Sequence, residues 1–366
     1  MSKKQKVVVA MSGGVDSSVV AGILAEEGYD LIGITIKTYR YEDVGGNEGN
    51  ESSCCSLDGI NDARTVAMKL GFPHYVLDFS DRFKEEVIDN FVDEYLHGRT
   101  PNPCVICNRK IKWEELIKKS ISMGADFIAT GHYAKVLKNE DNGRYYIARG
   151  RDEGKDQSYA LWGLTQQSLE KTMFPLGDMT KPESRAYGEE RGLIRADKKE
   201  SFEICFIPDD NYERFLKEQR PWLDSSLAGG EIVAGGEVIG QHRGFPFYTI
   251  GQRKGLGVFR PEPVYVTSID YKNNRIEVGA EDQLYKSELL ASNVNMMKYE
   301  DCREPMSVDA RIRYKDVGGR ATIQRLENGK IRVVFEEKRR AITPGQSVVF
   351  YEENDVVGGG VIESAG

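Results

Sequence analysis

Val7-Val8-Val9-Ala10-Met11-Ser12-Gly13-Gly14-Val15-Asp16-Ser17-Ser18 is the stretch that decides the fold. Its first five residues form a short apolar run rich in valine, which reads as a buried strand. Asp16 to Glu27 follows as a helix closed by Gly28. Between strand and helix stand two glycines and the hydroxyls of Ser12 and Ser17. Backbone N–H groups in such a turn, together with the helix dipole, favour an anion. The common phosphate loop would add a lysine in the pattern G-x-x-x-x-G-K-[ST]. This loop has none, and instead offers Asp16, a carboxylate suited to the Mg2+ that travels with a nucleotide.

Outward from this stretch the strand–helix alternation continues. Leu31 to Lys37 reads as a strand, Ile60 to Leu70 as a helix closed by Gly71, and His74 to Phe79 as a strand. Arg82 to Leu96 carries Phe83, Val87, Ile88, Phe91 and Tyr95 at helical spacing. Ile111 to Met123 reads as a helix and Phe127 to Thr130 as a strand. The rhythm predicts a mainly parallel sheet with helices on both faces. Beyond Pro208 the texture changes to short strands parted by glycines and Asn-rich turns, such as Lys272-Asn273-Asn274 and Glu327-Asn328-Gly329. The predicted organisation is an α/β nucleotide-binding domain over 1–207, a small central α+β domain over 208–281 and an antiparallel β-barrel over 282–366. Gly45 to Ser53, polar and Gly-rich, reads as a surface loop.

Composition narrows the classes of function. With 366 residues and 40% hydrophobic content the chain can bury a sizeable core. No apolar run reaches the roughly 18–20 residues of a membrane helix, and the apolar stretch after Lys6 is cut by Ser12-Gly13-Gly14 and Asp16 before any leader-peptide cleavage site. A cytoplasmic, monomeric protein without a membrane anchor is expected. The net charge of −8 argues mildly against a nucleic-acid partner, but phosphates are met by local patches. Gln241 to Arg260 holds His242, Arg243, Arg253, Lys254 and Arg260 with no acid, interleaved with Phe245, Phe247, Tyr248 and Phe259. Arg311-Ile312-Arg313-Tyr314-Lys315 is a second basic stretch.

Six cysteines are too few for a disulfide scaffold in a chain of this length. Gly98-Arg99-Thr100-Pro101-Asn102-Pro103-Cys104-Val105-Ile106-Cys107-Asn108 reads as a rigid loop that sets two thiols ahead of a basic helix. A thiol beside basic residues or a helix N-terminus is drawn toward its nucleophilic thiolate form, and Cys107 ahead of Lys110 meets that condition. Lys155-Asp156-Gln157 lies at the core of a polar loop, and Cys205 is a lone thiol in Glu203-Ile204-Cys205-Phe206-Ile207-Pro208. A structural zinc would need four ligands, with Cys54 or Cys55 as the evident addition to the other thiols.

The Ser12–Ser17 loop resembles that of the PP-loop ATP pyrophosphatases, adenine nucleotide alpha hydrolase-like proteins that cleave ATP between its α and β phosphates. With SGGVDSS, the Thr100–Cys107 loop, Ala129–Ala134 (ATGHYA), Lys155–Tyr159 (KDQSY), Thr249–Gly257 (TIGQRKGLG) and Thr343–Tyr351 (TPGQSVVFY), the chain resembles the bacterial tRNA-specific 2-thiouridylases over almost its full length. The resemblance implies ATP-dependent 2-thiolation of the wobble uridine (position 34) of tRNA: the uracil C2 oxygen is adenylated, and sulfur arrives from a cysteine persulfide. By position, Cys107 is then the nucleophile and Cys205 the persulfide carrier. ATP contacts are implied at Ala10, Met11, Ser12, Gly13, Gly14, Val15, Asp16, Ser17, Ile36 and Gly131, with Mg2+ as companion. Contacts to tRNA are implied at Asn102, Pro103, Cys104, Lys155, Asp156, Gln157, Arg313 and Tyr314. A cysteine desulfurase or sulfur-relay protein is the implied donor. The family pattern has aspartate where this chain has Cys104. Cys104, Cys107 and Cys205 could therefore hold a [4Fe-4S] cluster with one open iron, an alternative to the metal-free relay. A different PP-loop adenylating ligase is the other alternative.

Overall fold

The computed structural model describes residues 4–40, 57–194 and 204–366. The Gly45–Ser53 loop, Cys54, Cys55 and Glu203 lie outside the described residues. Two compact units divide the chain: 1–87 with 104–210 and 354–356, and 88–103 with 211–353 and 357–366.

The first unit is built on the opening valine run. Strand β1 (Lys6–Ala10) leads through the glycine turn into helix α1 (Val15–Glu26), then β2 (Asp30–Lys37), helix α2 (Leu57–Leu70) and β3 (His74–Asp78). With β4 (Phe127–Ala129) and β7 (Thr172–Met173) these strands form one parallel sheet in the order β3-β2-β1-β4-β7. Val7, Val8 and Val9 have no exposed surface, because β1 is flanked by β2 and β4. Such a strand favours a continuous β-branched run over an alternating one. Between β4 and β7 a hairpin intervenes, β5 (Ala134–Lys138) and β6 (Tyr145–Arg149), joined through the Asp141-Asn142-Gly143 turn. Residues 354–356 are grouped here because Asp355 pairs with Ala148 of β6.

The thiol-bearing segment departs from its sequence reading. The helix does not wait for Ile111. It begins at Pro103, so α3 runs through Pro103–Ile106, Cys107–Glu115 and Leu116–Ser122. Proline at a first helical position loses nothing, since that N–H has no intrahelical acceptor, and its fixed φ starts the turn. Cys104 and Cys107 thus sit on the helix. The stretch Cys107–Glu115 is wound as a wide π-helix, a form that recurs at functional sites.

Helix α4 (Lys181–Glu190) packs on α1 at glycine-to-side-chain contacts. A Cβ on Gly22 would fall 3.1 Å from Tyr187 of α4, and one on Gly188 would fall 3.1 Å from Val19 of α1. The close approach brings the start of α4 to the start of α1. Thr180 and Glu183 cap α4 reciprocally, which fixes its first turn.

In the second unit, Asp89–Leu96 and helix α5 (Tyr212–Gln219) meet through Phe91 and Phe215, ring centroids 6.0 Å apart and edge-on. A four-stranded sheet follows in the order β10-β11-β8-β9, from β8 (Gly230–Ala234), β9 (Glu237–His242), β10 (Tyr265–Asp270) and β11 (Arg275–Gly279). The last strands are β12 (Tyr285–Met296), β13 (Met306–Arg311), β14 (Gly319–Arg325), β15 (Ile331–Arg340), β16 (Ser347–Glu352) and β17 (Asp355–Ala365). They run β12-β15-β14-β13-β16-β17 and close through β12–β17 into an antiparallel barrel. Strand β15 alternates buried Ile331, Val333 and Phe335 with exposed Arg332, Val334 and Glu336, the period of two that a filled small barrel requires. No helix among the described residues is long and apolar enough to cross a membrane.

Gly13 has φ +72°, and a Cβ there would lie 2.0 Å from the Gly59 carbonyl oxygen. Positive φ alone costs an L-residue roughly 1–2 kcal/mol. Gly13→Ala should therefore lower stability by more than that, read as a reduced denaturant midpoint; a wild-type midpoint would show the turn to be less constrained than its geometry.

Candidate functional site

The turn between β1 and α1 is held open by its own side chains. Met11 is fixed at the strand end, its N–H donating to Ile34 O (2.8 Å) and its carbonyl accepting from Thr35 Oγ1 (2.7 Å). Ser17 Oγ accepts from Ser12 N (3.3 Å) and donates to Gly14 O (3.1 Å). Ser12 Oγ accepts from Gly14 N (3.3 Å). Gly14 is the N-cap of α1 and no side chain caps it. The first turn of a twelve-residue helix therefore presents its N–H groups without a side-chain acceptor. Gly131 packs on this turn so closely that a Cβ would sit 2.8 Å from Asp16 and 3.1 Å from Ser17 N. Ile36, the remaining expected nucleotide contact, lies on β2 opposite Leu77 of β3.

Sequence reading missed the decisive cation. Lys181 Nζ, on the first turn of α4, donates to Asp16 Oδ1 at 2.7 Å, and its side chain is only 12% exposed. Tyr133 OH donates to the same oxygen (2.8 Å) and lies 2.6 Å from Ser184 Oγ, which donates to the Lys181 carbonyl (3.0 Å). Lys181 N donates to Asp152 Oδ2 (2.8 Å). The lysine absent from the loop is thus supplied 165 residues downstream. A legible signal existed in Thr180-Lys181-Pro182-Glu183, a capping box whose first turn carries a lysine.

The thiols occupy different surroundings. Cys104 is exposed, and Cys107 and Cys205 are half-buried. Desolvation nevertheless pushes the Cys104 thiol above its ordinary pKa, while Lys112 pulls it down by less. The raised pKa keeps the Cys104 thiol protonated at neutral pH. Lys112 also acts on His132, whose imidazole is driven well below its ordinary pKa chiefly by desolvation. His132 Nδ1 is 2.7 Å from Thr130 Oγ1, and its ring lies against Trp113 (5.4 Å) and Phe174 (5.8 Å). Cys205 is held by its backbone: Tyr39 OH donates to its carbonyl (2.9 Å), and Phe206 packs edge-on against Phe83 at 5.7 Å. Among the described residues, no three His, Cys, Asp or Glu side chains are grouped to hold a metal ion, so Cys104, Cys107 and Cys205 do not form a ready cluster site.

Residues 5–209 match the family described as the tRNA methyl transferase HUP domain, 215–280 the tRNA methyl transferase PRC-barrel domain, and 286–362 the aminomethyltransferase beta-barrel domain. A Cytophaga hutchinsonii protein named tRNA-specific 2-thiouridylase MnmA is 51% identical over 100% of this chain and 99% of its own. Proteins of the same name from Salinibacter ruber and Clostridium perfringens are each 50% identical, over 100% and 99% of this chain and 96% and 99% of theirs. The chain belongs to the tRNA-specific 2-thiouridylase family.

Within this 2-thiouridylase chain, the remaining expected contacts fall in the following places. Asp156 is turned inward, accepting from Gly150 N (3.3 Å), Ser158 N (3.1 Å) and Ser158 Oγ (2.9 Å). Gln157 Oε1 accepts from Tyr133 N (3.0 Å) and so braces the bend before β5 from which the Tyr133 hydroxyl reaches Asp16. Lys155 is half-buried. Asn102 and Pro103 end the segment of the second unit in which Gln346 Nε2 donates to the carbonyls of Thr100 (3.0 Å) and Pro101 (2.9 Å). Arg313 and Tyr314 are exposed on a turn that buried Ile312 anchors and Asp316 ties, accepting from Ile312 N (3.0 Å).

Lys181→Met should raise the KM for ATP roughly ten- to a hundredfold, the equivalent of one charge-assisted hydrogen bond of about 1.5–3 kcal/mol. Lys181→Arg should recover part of that loss. A KM for ATP unchanged in Lys181→Met would show that the lysine serves only to pair Asp16.

Proposed function

We propose that the chain is an ATP-dependent tRNA uridine 2-sulfurtransferase acting on the wobble uridine, position 34, in the cytoplasm as a monomer. The observation that carries this reading is the 51% identity across the whole chain to a protein named for that activity. Residues 1–207 would do the chemistry, with the central segment 208–281 and the barrel 282–366 serving the RNA.

The phosphates of ATP would lie on the N–H groups of the first turn of α1, beside Lys181. There Lys181 exchanges its bond to Asp16 for one to a phosphate oxygen, and Asp16 is released to hold Mg2+. The donors present (N–H groups, one ammonium, one carboxylate) suit a polyphosphate and its cation. Mg2+ would neutralise charge on the departing pyrophosphate. The uracil C2 oxygen attacks the α-phosphorus, the bond to the β-phosphate breaks, and C2 gains an AMP leaving group.

Sulfur follows in a second step. Cys205 carries a persulfide received from a cysteine desulfurase or relay protein. The Cys107 thiolate attacks the Cys205 sulfur, forming a Cys107–Cys205 disulfide and expelling the outer sulfur as sulfide. Two thiol sulfurs are oxidised and the sulfane sulfur is reduced, so electrons balance. Sulfide adds at C2 and AMP leaves. The raised pKa of Cys104 suits it to proton donation rather than attack, the role an aspartate at this position would fill differently. A [4Fe-4S] cluster on Cys104, Cys107 and Cys205 is the competing version of the sulfur step, and it would require these thiols to regroup.

Cys205→Ser should lower formation of 2-thiouridine, measured by mass spectrometry on unmodified tRNA with ATP and a persulfide source, by at least roughly a thousandfold. Release of pyrophosphate in the presence of tRNA should persist. Wild-type protein that forms no 2-thiouridine would overturn the reading, and near-wild-type Cys205→Ser would overturn the persulfide role.

A further inference from the structure

The segment between β9 and β10 carries a feature that adenylation and sulfur transfer leave unused. Phe259 is 98% exposed, more than any other large apolar side chain among the described residues. Arg253, Lys254 and Arg260 beside it are exposed as well. Among the described residues none of these three cations forms an ion pair or a side-chain hydrogen bond. From Gln241 to Arg260 there is no acid, in a chain whose net charge is −8. The first acid beyond, Glu262, is exposed.

This segment is anchored at its base. Gly251 N donates to Val266 O (2.8 Å) and Val266 N to Gln252 O (2.9 Å), fastening its start to β10. The Gln252 side chain bridges the turn, accepting from Thr249 N (3.1 Å) and donating to Lys254 O (3.0 Å). Leu256 is 4% exposed and plugs the loop into the unit. Gly255 and Gly257 on either side have φ +74° and +71°, so the chain folds tightly around that plug. The cations and the phenyl ring are thus displayed on a fixed base, which reduces the ordering cost of binding.

We infer that Arg253, Lys254, Phe259 and Arg260 form an RNA-contact surface: the Phe259 ring stacks on an unstacked base and the three cations hold flanking phosphates. The inference rests on tRNA being the substrate and adds a place where it is gripped. Charge complementarity favours a polyanion, since the three cations give this loop the opposite sign to the chain's net charge of −8. The single aromatic, set among Arg, Gly and Pro rather than other apolar side chains, lacks the apolar surround of a protein hot spot. A ring with both faces free is what sequence-tolerant stacking on single-stranded nucleotides requires, and loops are where RNA offers such bases.

The test uses the full chain with an unmodified tRNA transcript. Binding is followed by fluorescence anisotropy across a salt series, and thiolation by mass spectrometry. Phe259→Ala should raise both the tRNA Kd and the KM for tRNA about tenfold, with kcat and the KM for ATP unchanged, and Phe259→Trp should restore both. The triple variant Arg253→Gln, Lys254→Gln, Arg260→Gln should flatten the log Kd against log salt slope by roughly 2 to 3. All four side chains are exposed, and a thermal melt confirms that folding is kept. An unchanged tRNA Kd in Phe259→Ala, or an unchanged salt slope in the triple variant, overturns the inference. Failure of wild-type protein to thiolate tRNA would instead strike the substrate reading, while the binding series still decides the loop.

Discussion

The pairing of Asp16 with Lys181 is the constraint on which the rest of the catalytic unit depends. Two helices begin at the same place, each presenting the positive end of its dipole to one turn. The Asp16 carboxylate there is paired with Lys181, whose side chain is largely withdrawn from solvent. The arrangement is a charged seat held ready for a more highly charged guest. It exists because Gly22 and Gly188 leave room for Tyr187 of α4 and Val19 of α1, so the two helices approach closely. Tyr133 and Ser184 then lock the two helix starts through one hydrogen-bonded chain.

The same economy governs the KDQ segment. Asp156 and Gln157 look from sequence like polar groups waiting for a ligand. In the fold both are engaged with backbone N–H groups, and through Tyr133 their work reaches Asp16. In the second unit, the motif from Thr343 to Gln346 has an equally local meaning. Pro344 O accepts from Thr100 N (2.9 Å), and Gln346 holds the next two carbonyls, so the backbone leading to Asn102 and Pro103 is set before any substrate arrives.

On the sulfur side, the two thiols three residues apart share one helical run. With the helix beginning at Pro103, Cys104 sits in its first turn and Cys107 opens the π-wound stretch. Helix N-terminal position would lower a thiol pKa, yet Cys104 is raised because desolvation outweighs Lys112. The neighbouring His132 is kept neutral by the same desolvation.

Much of the protein could be read from its order of residues. A β-branched run, a Ser-Gly-Gly turn and an amphipathic alternation are local patterns, and local sterics and hydrogen bonding are enough to turn them into a parallel α/β unit followed by a barrel. The strand–turn–helix that opens the chain was legible for that reason. The β5–β6 hairpin, turned at Asp141-Asn142-Gly143, stands outside the strand–helix rhythm and was not part of the sequence reading. What tertiary structure alone decided are the relations between distant residues. Lys181 reaches Asp16 across 165 positions because two glycine-lined helix faces pack. The start of α3 at Pro103 moved both thiols from a loop onto a helix. Phe259 owes its availability to full exposure, and neither burial nor exposure is written in a residue's immediate neighbours.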